Sequence, residues 1–274
     1  MRTFWFFPAV AALALSCTAR EPGAAAGGGV TFTVGSVERE RSVREAEFTV
    51  RLATAMTAAE LPAAVRANIM GDLPGFAGDL ASVLAGPRYL RALVDKQHAL
   101  PSGYSPADLT ALGGGPYLVS RTGLTLRSSA ARSLAEMAGA ARADGVTLVA
   151  ASAYRSYDHQ TTVHNRLVLQ MGRAAAERVS ARPGHSQHQT GLALDFGPID
   201  NSFAASPAGI WMDANAGRFG WSLSYPDGYE HVTGYSWESW HFRYLGRELA
   251  AFKERHFGGI QQFALRFLHE LEHR

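Results

Sequence analysis

Residues 180–195 read SARPGHSQHQTGLALD, and this stretch determines much of the fold and chemistry of the chain. Polar residues, among them His185 and His188, precede a short apolar run that ends in Asp195. The run over residues 192–196 predicts a short strand. A carboxylate in an apolar strand is costly to bury unless it is paired or bound to a metal. The stretch therefore predicts a buried polar site at the end of a strand.

A second stretch, ESWHFRY at residues 238–244, places Glu238 three residues before His241 among aromatic side chains. Together, His188, Asp195 and His241 supply two imidazoles and one carboxylate. Three protein ligands and an open fourth position are the usual layout of a catalytic zinc site. Glu238 is then a candidate general base. Each residue alone has an ordinary structural alternative, such as a turn cap or a surface charge, but the combination favours the metal site.

These motifs resemble the VanY-type zinc D-alanyl-D-alanine carboxypeptidases over roughly residues 89–255. The resemblance also includes LPSGY at residues 100–104 and SAYRSY at residues 152–157. It implies an α+β fold in which a small antiparallel sheet bears the zinc site and helices pack on its other face. Hedgehog-like zinc peptidases share that fold.

The resemblance also implies a ligand set. Both His185 and His188 are candidates for the first ligand, and the family's zinc histidine stands seven residues before its aspartate, which selects His188. One Zn²⁺ per chain is then held by His188, Asp195 and His241, and His185 is left a supporting or structural role. Glu238 is expected to take a proton from the attacking water and to pass it to the leaving D-alanine amine.

The expected substrates are peptidoglycan stem peptides, from which the C-terminal D-alanine is removed. By resemblance, Arg155, Gln160 and Ser186 contact the substrate. Arg155 either holds the terminal carboxylate in paired hydrogen bonds or stabilises the developing oxyanion, and the sequence leaves both roles open. Removal of D-alanine from pentapeptides (D,D) or from tetrapeptides (L,D) is equally compatible with these motifs.

Two other functions fit the same motifs. One is a peptidoglycan endopeptidase, which needs an open-ended cleft. The pair Arg155 and Gln160 favours a closed end that reads a carboxylate. The other is a non-catalytic, zinc-bearing module that binds cell-wall peptides. A pure binding module has no need of Glu238, so this residue distinguishes the two classes.

The N-terminus resembles an export signal, because a basic start is followed by an apolar run over residues 4–15 that is too short to span a bilayer. Cys17 is the single cysteine of the chain and follows small residues directly after that run. This pattern resembles a bacterial lipoprotein signal and predicts lipidation of Cys17. The expected location is the cell envelope, at a membrane surface facing the periplasm or cell wall. The alternative is cleavage by the ordinary signal peptidase, with an incidental Cys17.

Composition favours a folded chain, since 47% of the 274 residues are hydrophobic and 18% are charged. The formal net charge is only +2 and does not indicate the basic surface typical of nucleic-acid-binding proteins, so no nucleic-acid partner is expected. The predicted organisation is, in order, a signal peptide (1–16), a linker (17–29), a mainly helical N-terminal extension (30–87), the zinc carboxypeptidase domain (88–257) and a C-terminal helix (258–274).

Local patterns predict the individual elements. Within the extension, alternation predicts short strands at residues 30–34 and 48–52, and Thr57 with Glu60 predicts a capping box that opens a helix. In the main domain, the predicted elements are helices at 128–143 and after Ser156, with Val163 and Leu167 facing inward, and strands at 146–154, 192–196 and 240–244. A helical apolar stripe near the C-terminus predicts a docking face made of Ile260, Phe263, Ala264, Phe267, Leu268 and Leu271.

Overall fold

The computed structural model describes residues 34–273. The predicted signal peptide, the linker, Cys17 and all but the last residue of the strand expected at 30–34 lie outside this range. The chain divides between Ala53 and Thr54 into two units, and all of the strands of the described range lie in the second. In the range that the structure describes, no helix is long and apolar enough to cross a membrane.

Ten α-helices lie within the described range. Their bounds are α1 Val34–Ala58, α2 Ala63–Gly71, α3 Leu73–Ala85, α4 Ser128–Ala143, α5 Tyr157–Met171, α6 Arg173–Val179, α7 Pro207–Asn215, α8 Glu230–Thr233, α9 Arg247–His256 and α10 Gln261–His273. Four short 3-10 turns accompany them, at Arg88–Arg91, Gln187–Thr190, Asn201–Ala205 and Ala216–Phe219.

Seven short strands form two sheets. Their bounds are β1 Leu109–Ala111, β2 Leu118–Val119, β3 Thr125–Arg127, β4 Val149–Ser152, β5 Ala193–Phe196, β6 Trp221–Leu223 and β7 His241–Tyr244. β1 and β3 pair antiparallel, and the larger sheet has the order β2-β4-β5-β7-β6. Within it, β2 and β4 are parallel and the other neighbours are antiparallel. The predicted α+β architecture is therefore confirmed, with one parallel pair at the sheet edge.

Alternation along the two middle strands separates the core from the site. Leu194 and Phe196 of β5 and Phe242 of β7 belong to the hydrophobic core, together with α4 residues such as Leu134. Because successive side chains of a strand point to opposite faces, Asp195 and His241 lie on the other face of the sheet. The central strands thus carry apolar packing on one face and polar chemistry on the other.

The N-terminal predictions needed two corrections. Residues 48–52, expected as a strand, lie within α1. A five-residue alternation is too short to distinguish a strand from a helix. Thr57 lies in the last turn of α1 and Glu60 follows it with φ 53°, so the proposed capping box ends one helix and does not begin the next. The helix predicted there begins at Ala63.

The C-terminal stripe docks as predicted, since all six of its residues are buried. Phe76 of α3 meets Phe252 of α9 and Phe267 of α10 at ring-centroid distances of 5.2 and 5.6 Å. Aromatic pairs of this kind bury large apolar areas and fix the relative orientation of the elements that carry them. Helices α3, α9 and α10 therefore pack around one aromatic cluster.

Several predicted elements of the main domain are confirmed. Helix α4 has the predicted bounds, and strands β4, β5 and β7 fall inside the predicted runs. Helix α5 begins after Ser156, whose hydroxyl accepts a hydrogen bond from the His159 amide. Its buried residues are Gln160 and His164, whereas Val163 and Leu167 are only partly buried. The inward face of α5 is thus polar, contrary to the prediction.

Candidate functional site

The sheet register brings two of the predicted ligands together. Asp195 near the end of β5 lies directly opposite His241 at the start of β7. Directly opposed residues on neighbouring strands have Cβ atoms about 5 Å apart, close enough for their side chains to interact. The Nδ1 atom of His241 lies 3.0 Å from Asp195 Oδ1.

The third predicted ligand, His188, comes from the 3-10 turn Gln187–Thr190 that precedes β5. The Ser186 hydroxyl accepts a hydrogen bond from the His188 amide at 3.3 Å and caps this turn. Gly191 ends the turn with φ +70°, and its amide donates to the His188 carbonyl. A residue in this left-handed conformation reverses the chain at low cost only when it is glycine. The turn therefore places His188 above the strand that carries Asp195.

Hydrogen bonds on the outer edges orient both imidazole rings. His188 Nδ1 lies 2.7 Å from the Ala153 carbonyl oxygen, so Nδ1 carries the proton and Nε2 faces Asp195 Oδ2 at 3.2 Å. On the other ring, His241 Nε2 lies 3.3 Å from Gln187 Oε1. When Nε2 donates to that oxygen, Nδ1 is left with a bare lone pair. Metal-binding histidines are commonly held by such outward hydrogen bonds.

The donor set fits a zinc ion. His188, Asp195 and His241 are 3–5% exposed, and one ligand atom from each lies within 4.8 Å of the others. Asp195 Oδ1 is buried without a hydrogen-bond partner although His241 Nδ1 lies beside it, as expected when both atoms present lone pairs to a cation. Two imidazole nitrogens and a carboxylate oxygen are ligands that Zn²⁺ accepts in tetrahedral sites. In the described part of the chain this is the one group of this kind.

Glu238 lies beside the cluster, with Oε2 3.5 Å from His241 Nδ1. Burial raises the pKa of its carboxyl to about 7, and the charge of Asp195 adds to this while the Arg155 guanidinium opposes it. A carboxyl group with a pKa near neutrality exchanges protons readily at neutral pH, which suits a general acid–base residue.

Arg155 follows β4 and lies at the same site, as its backbone amide donates to the His188 carbonyl at 3.3 Å. Its guanidinium donates from Nη1 to Gln160 Oε1 at 2.9 Å and from Nη2 to Ser152 Oγ at 3.1 Å. Gln160 is 1% exposed and also donates to the Ala181 carbonyl. Burial lowers the pKa of Arg155, and the charge of Asp195 partly offsets this. The hydrogen bond from Arg155 to the buried Gln160 thus orients the Arg155 guanidinium. A direct contact between Gln160 and substrate stays a prediction.

The remaining histidines of the motif region lie in other surroundings. His185 Nδ1 is 2.7 Å from the backbone oxygen of Asp95, His164 is buried in α5, and His231 stacks against Tyr229. None belongs to the cluster of ligand atoms. A residue that the sequence did not single out is Gln187, between Ser186 and His188, whose side chain contacts His241.

A mainly antiparallel sheet that buries two histidines and an aspartate beside a glutamate defines a hedgehog-like zinc-peptidase fold. Comparison with known proteins agrees. The family model VanY, D-alanyl-D-alanine carboxypeptidase, matches residues 123–247. The structure of the LdcB LD-carboxypeptidase superposes with a TM-score of 0.56 at 34% identity, over 63% of this chain and 87% of LdcB. The VanY D,D-pentapeptidase of a VanB-type resistance cassette, solved with Zn(II), gives a TM-score of 0.54 at 32% identity over 65% and 99%.

The chain belongs to the VanY family of D-alanyl-D-alanine carboxypeptidases, as its motifs predicted. The protein YodJ of Bacillus subtilis is 36% identical to it over 182 residues, which cover 63% of this chain. The match spans 66% of the length of YodJ, just under two thirds.

Proposed function

We propose that this protein is a zinc carboxypeptidase that removes the C-terminal D-alanine from peptidoglycan stem peptides. The observation that carries the proposal is the buried cluster of His188, Asp195 and His241 with Glu238 3.5 Å from one of its nitrogens. Relatives support the substrate class. The family is named for D-alanyl-D-alanine, LdcB is an LD-carboxypeptidase that recognises peptidoglycan, and VanY is a D,D-pentapeptidase.

One zinc ion would be held by His188 Nε2, His241 Nδ1 and the carboxylate of Asp195. When bound, zinc supplies a Lewis acid that polarises the scissile carbonyl and acidifies the attacking water. The outward hydrogen bonds to Ala153 and Gln187 would orient the two rings so that the inner nitrogens present lone pairs for this role.

Glu238 would hold and move the proton. Its carboxylate takes a proton from the attacking water and then gives it to the leaving D-alanine amine, which leaves as a neutral amine. Burial raises the pKa of this carboxyl and so favours the first transfer, in which the carboxylate takes up the proton. The backbone amide of Glu238 donates to the Tyr225 carbonyl at 3.1 Å, which holds the main chain of this residue in place near His241.

Arg155 would bind the peptide end. Gln160 and Ser152 occupy two of its N–H groups, and a guanidinium has five, so others remain for a carboxylate or a developing oxyanion. Arg155→Lys keeps the charge and loses the planar fork. A rise in KM with little change in kcat supports carboxylate binding, and a fall in kcat supports oxyanion stabilisation. We expect Ser186 to act near the substrate while it caps the His188 turn.

The proposed setting is the cell envelope. The apolar N-terminal run and Cys17 support export and attachment to a membrane surface through a lipid, where stem peptides are the partner. Both features lie outside the described residues, so this proposal rests on the sequence.

The test is incubation of zinc-loaded protein with defined tetrapeptide, pentapeptide and cross-linked stem peptides, followed by mass spectrometry. Loss of one D-alanine from the pentapeptide identifies D,D-activity, and the same loss from the tetrapeptide identifies L,D-activity. His188→Ala is the control, because it should lose both zinc and activity. Cleavage confined to internal bonds would replace the proposal with an endopeptidase, and binding without cleavage would replace it with a binding module.

A further inference from the structure

Gln187 links the metal cluster to Ser224, the residue that follows β6. Its Oε1 atom lies 3.3 Å from His241 Nε2 and accepts a hydrogen bond from Ser224 Oγ at 2.8 Å. The side chain is 2% exposed, so no bulk water competes for these bonds. Because a hydrogen bond is electrostatically stronger in a buried site than in water, Gln187 Oε1 favours neighbours that donate a proton to it.

The same chain of hydrogen bonds continues into the C-terminal helix. Gln261, the first residue of α10, donates from Nε2 to Ser224 Oγ at 3.2 Å and is 1% exposed. In this arrangement Gln261 donates to Ser224 and Ser224 donates to Gln187. The Oε1 atom of Gln187 can only accept, so His241 Nε2 must be the donor of the hydrogen bond between them. The C-terminal helix lies beyond residue 247, where the family match ends.

We propose that α10 positions the metal ligand His241 through the chain Gln261, Ser224 and Gln187. The chain fixes the His241 tautomer, with the proton on Nε2 and the lone pair on Nδ1 facing Asp195. This inference deepens the proposed function, since it rests on zinc binding at that cluster. It assigns to Gln187 and Gln261 a positioning role, acting on the metal through His241.

The packing around His241 supports this role. The Tyr225 ring lies against the imidazole with centroids 4.8 Å apart and the His188 ring meets it edge-on at 4.9 Å. These contacts restrict the tilt of the ring but do not choose which nitrogen carries the proton. The hydrogen bond at Nε2 makes that choice, and Gln187 is the residue that the structure places there.

The test compares variants that differ in hydrogen bonding and little in size. Gln187→Met removes the acceptor, Gln187→Glu keeps an acceptor and cannot donate, and Gln261→Met breaks the far end of the chain. Gln262→Met is the matched control, because the neighbouring Gln262 is equally buried but donates to Asp95. Zinc affinity is measured by competition with a chromophoric chelator, and the thermal midpoint of each metal-free protein is recorded alongside.

Loss of such a supporting hydrogen bond weakens metal binding by about 10- to 100-fold, so we expect that loss for Gln187→Met. Gln261→Met should weaken zinc binding in the same direction by less, and Gln187→Glu should bind zinc at least as well as the parent protein. Gln262→Met should lower the thermal midpoint without changing zinc affinity. If Gln187→Met does not fold, Ser224→Ala and Gln261→Met carry the same test.

Wild-type zinc affinity in Gln187→Met, or equal losses in Gln261→Met and Gln262→Met, would overturn the positioning role. A loss of zinc affinity in Gln187→Glu as large as that in Gln187→Met would overturn it too, because the glutamate keeps the acceptor for His241 Nε2. Failure of the proposed function is separate, since a protein that binds zinc as described but cleaves no stem peptide leaves the positioning role intact.

Discussion

Replacing Gly191 by alanine should destabilise the protein through two separable effects. Gly191 has φ +70°, and a residue with a Cβ in this left-handed conformation costs roughly 1–2 kcal/mol. The added Cβ would also lie 3.0 Å from Pro106 Cγ, 3.1 Å from Leu109 Cδ2 and 3.2 Å from Arg127 Cγ. Inserting a methyl group into such a packed position typically costs about 1–3 kcal/mol more.

Gly145 provides the matched control. It follows α4 with φ +77°, and an added Cβ there meets nothing within 4 Å. Gly145→Ala should therefore show only the cost of the left-handed backbone conformation. In both variants this cost is reduced equally, because alanine lowers the conformational entropy of the unfolded chain. The free energy of unfolding of Gly191→Ala should fall below that of Gly145→Ala by about 1–3 kcal/mol, which is the packing contribution.

The assay is urea unfolding followed by circular dichroism, with a chelator present so that zinc does not contribute to the difference. Zinc affinity is then measured on both folded variants. Because Gly191 connects the turn of His188 to the strand of Asp195, Gly191→Ala should also weaken zinc binding and Gly145→Ala should not. Equal unfolding free energies for the two variants would refute the argument from crowding.

Three further predictions concern other parts of the chain. Glu238→Gln should lower turnover by about 100- to 10,000-fold at unchanged zinc content, and near wild-type cleavage would exclude it as the general base. Asp95→Asn should lower the free energy of unfolding at pH 7 by about 1–3 kcal/mol, because the amide cannot accept from both His98 and Gln262. Although burial raises the pKa of Asp95, hydrogen bonds from Gln97 and His98 lower it overall. The stabilising contribution of Asp95 to the free energy of unfolding is therefore complete above the ordinary aspartate pKa of about 3.9, and it is lost as the pH falls through the lowered pKa. Cys17→Ala should move the protein from the membrane to the soluble fraction of cells, and an unchanged distribution would exclude lipidation.

The sequence by itself predicted whatever depended on neighbouring residues or on an extended motif. Helix α4 was predicted with its bounds, because a long apolar period followed by Gly145 leaves little choice. The two ligand motifs predicted the family and placed His188, Asp195 and His241 together. Within each motif the residues lie close together in the sequence. A carboxylate in the apolar strand that carries Asp195 is costly to bury without a partner, so the sequence predicted one.

Only the tertiary structure decided what depends on residues far apart in the chain. The α1 segment at residues 48–52 has too short an alternation to exclude a helix. Gln160 holds Arg155, and Gln187 holds His241 across 54 positions. Gln261 reaches Ser224 only because α10 docks on the core. A side-chain amide has no periodicity and pairs with whatever the packing brings within about 3 Å, so its partner follows from the fold and not from the pattern of the sequence.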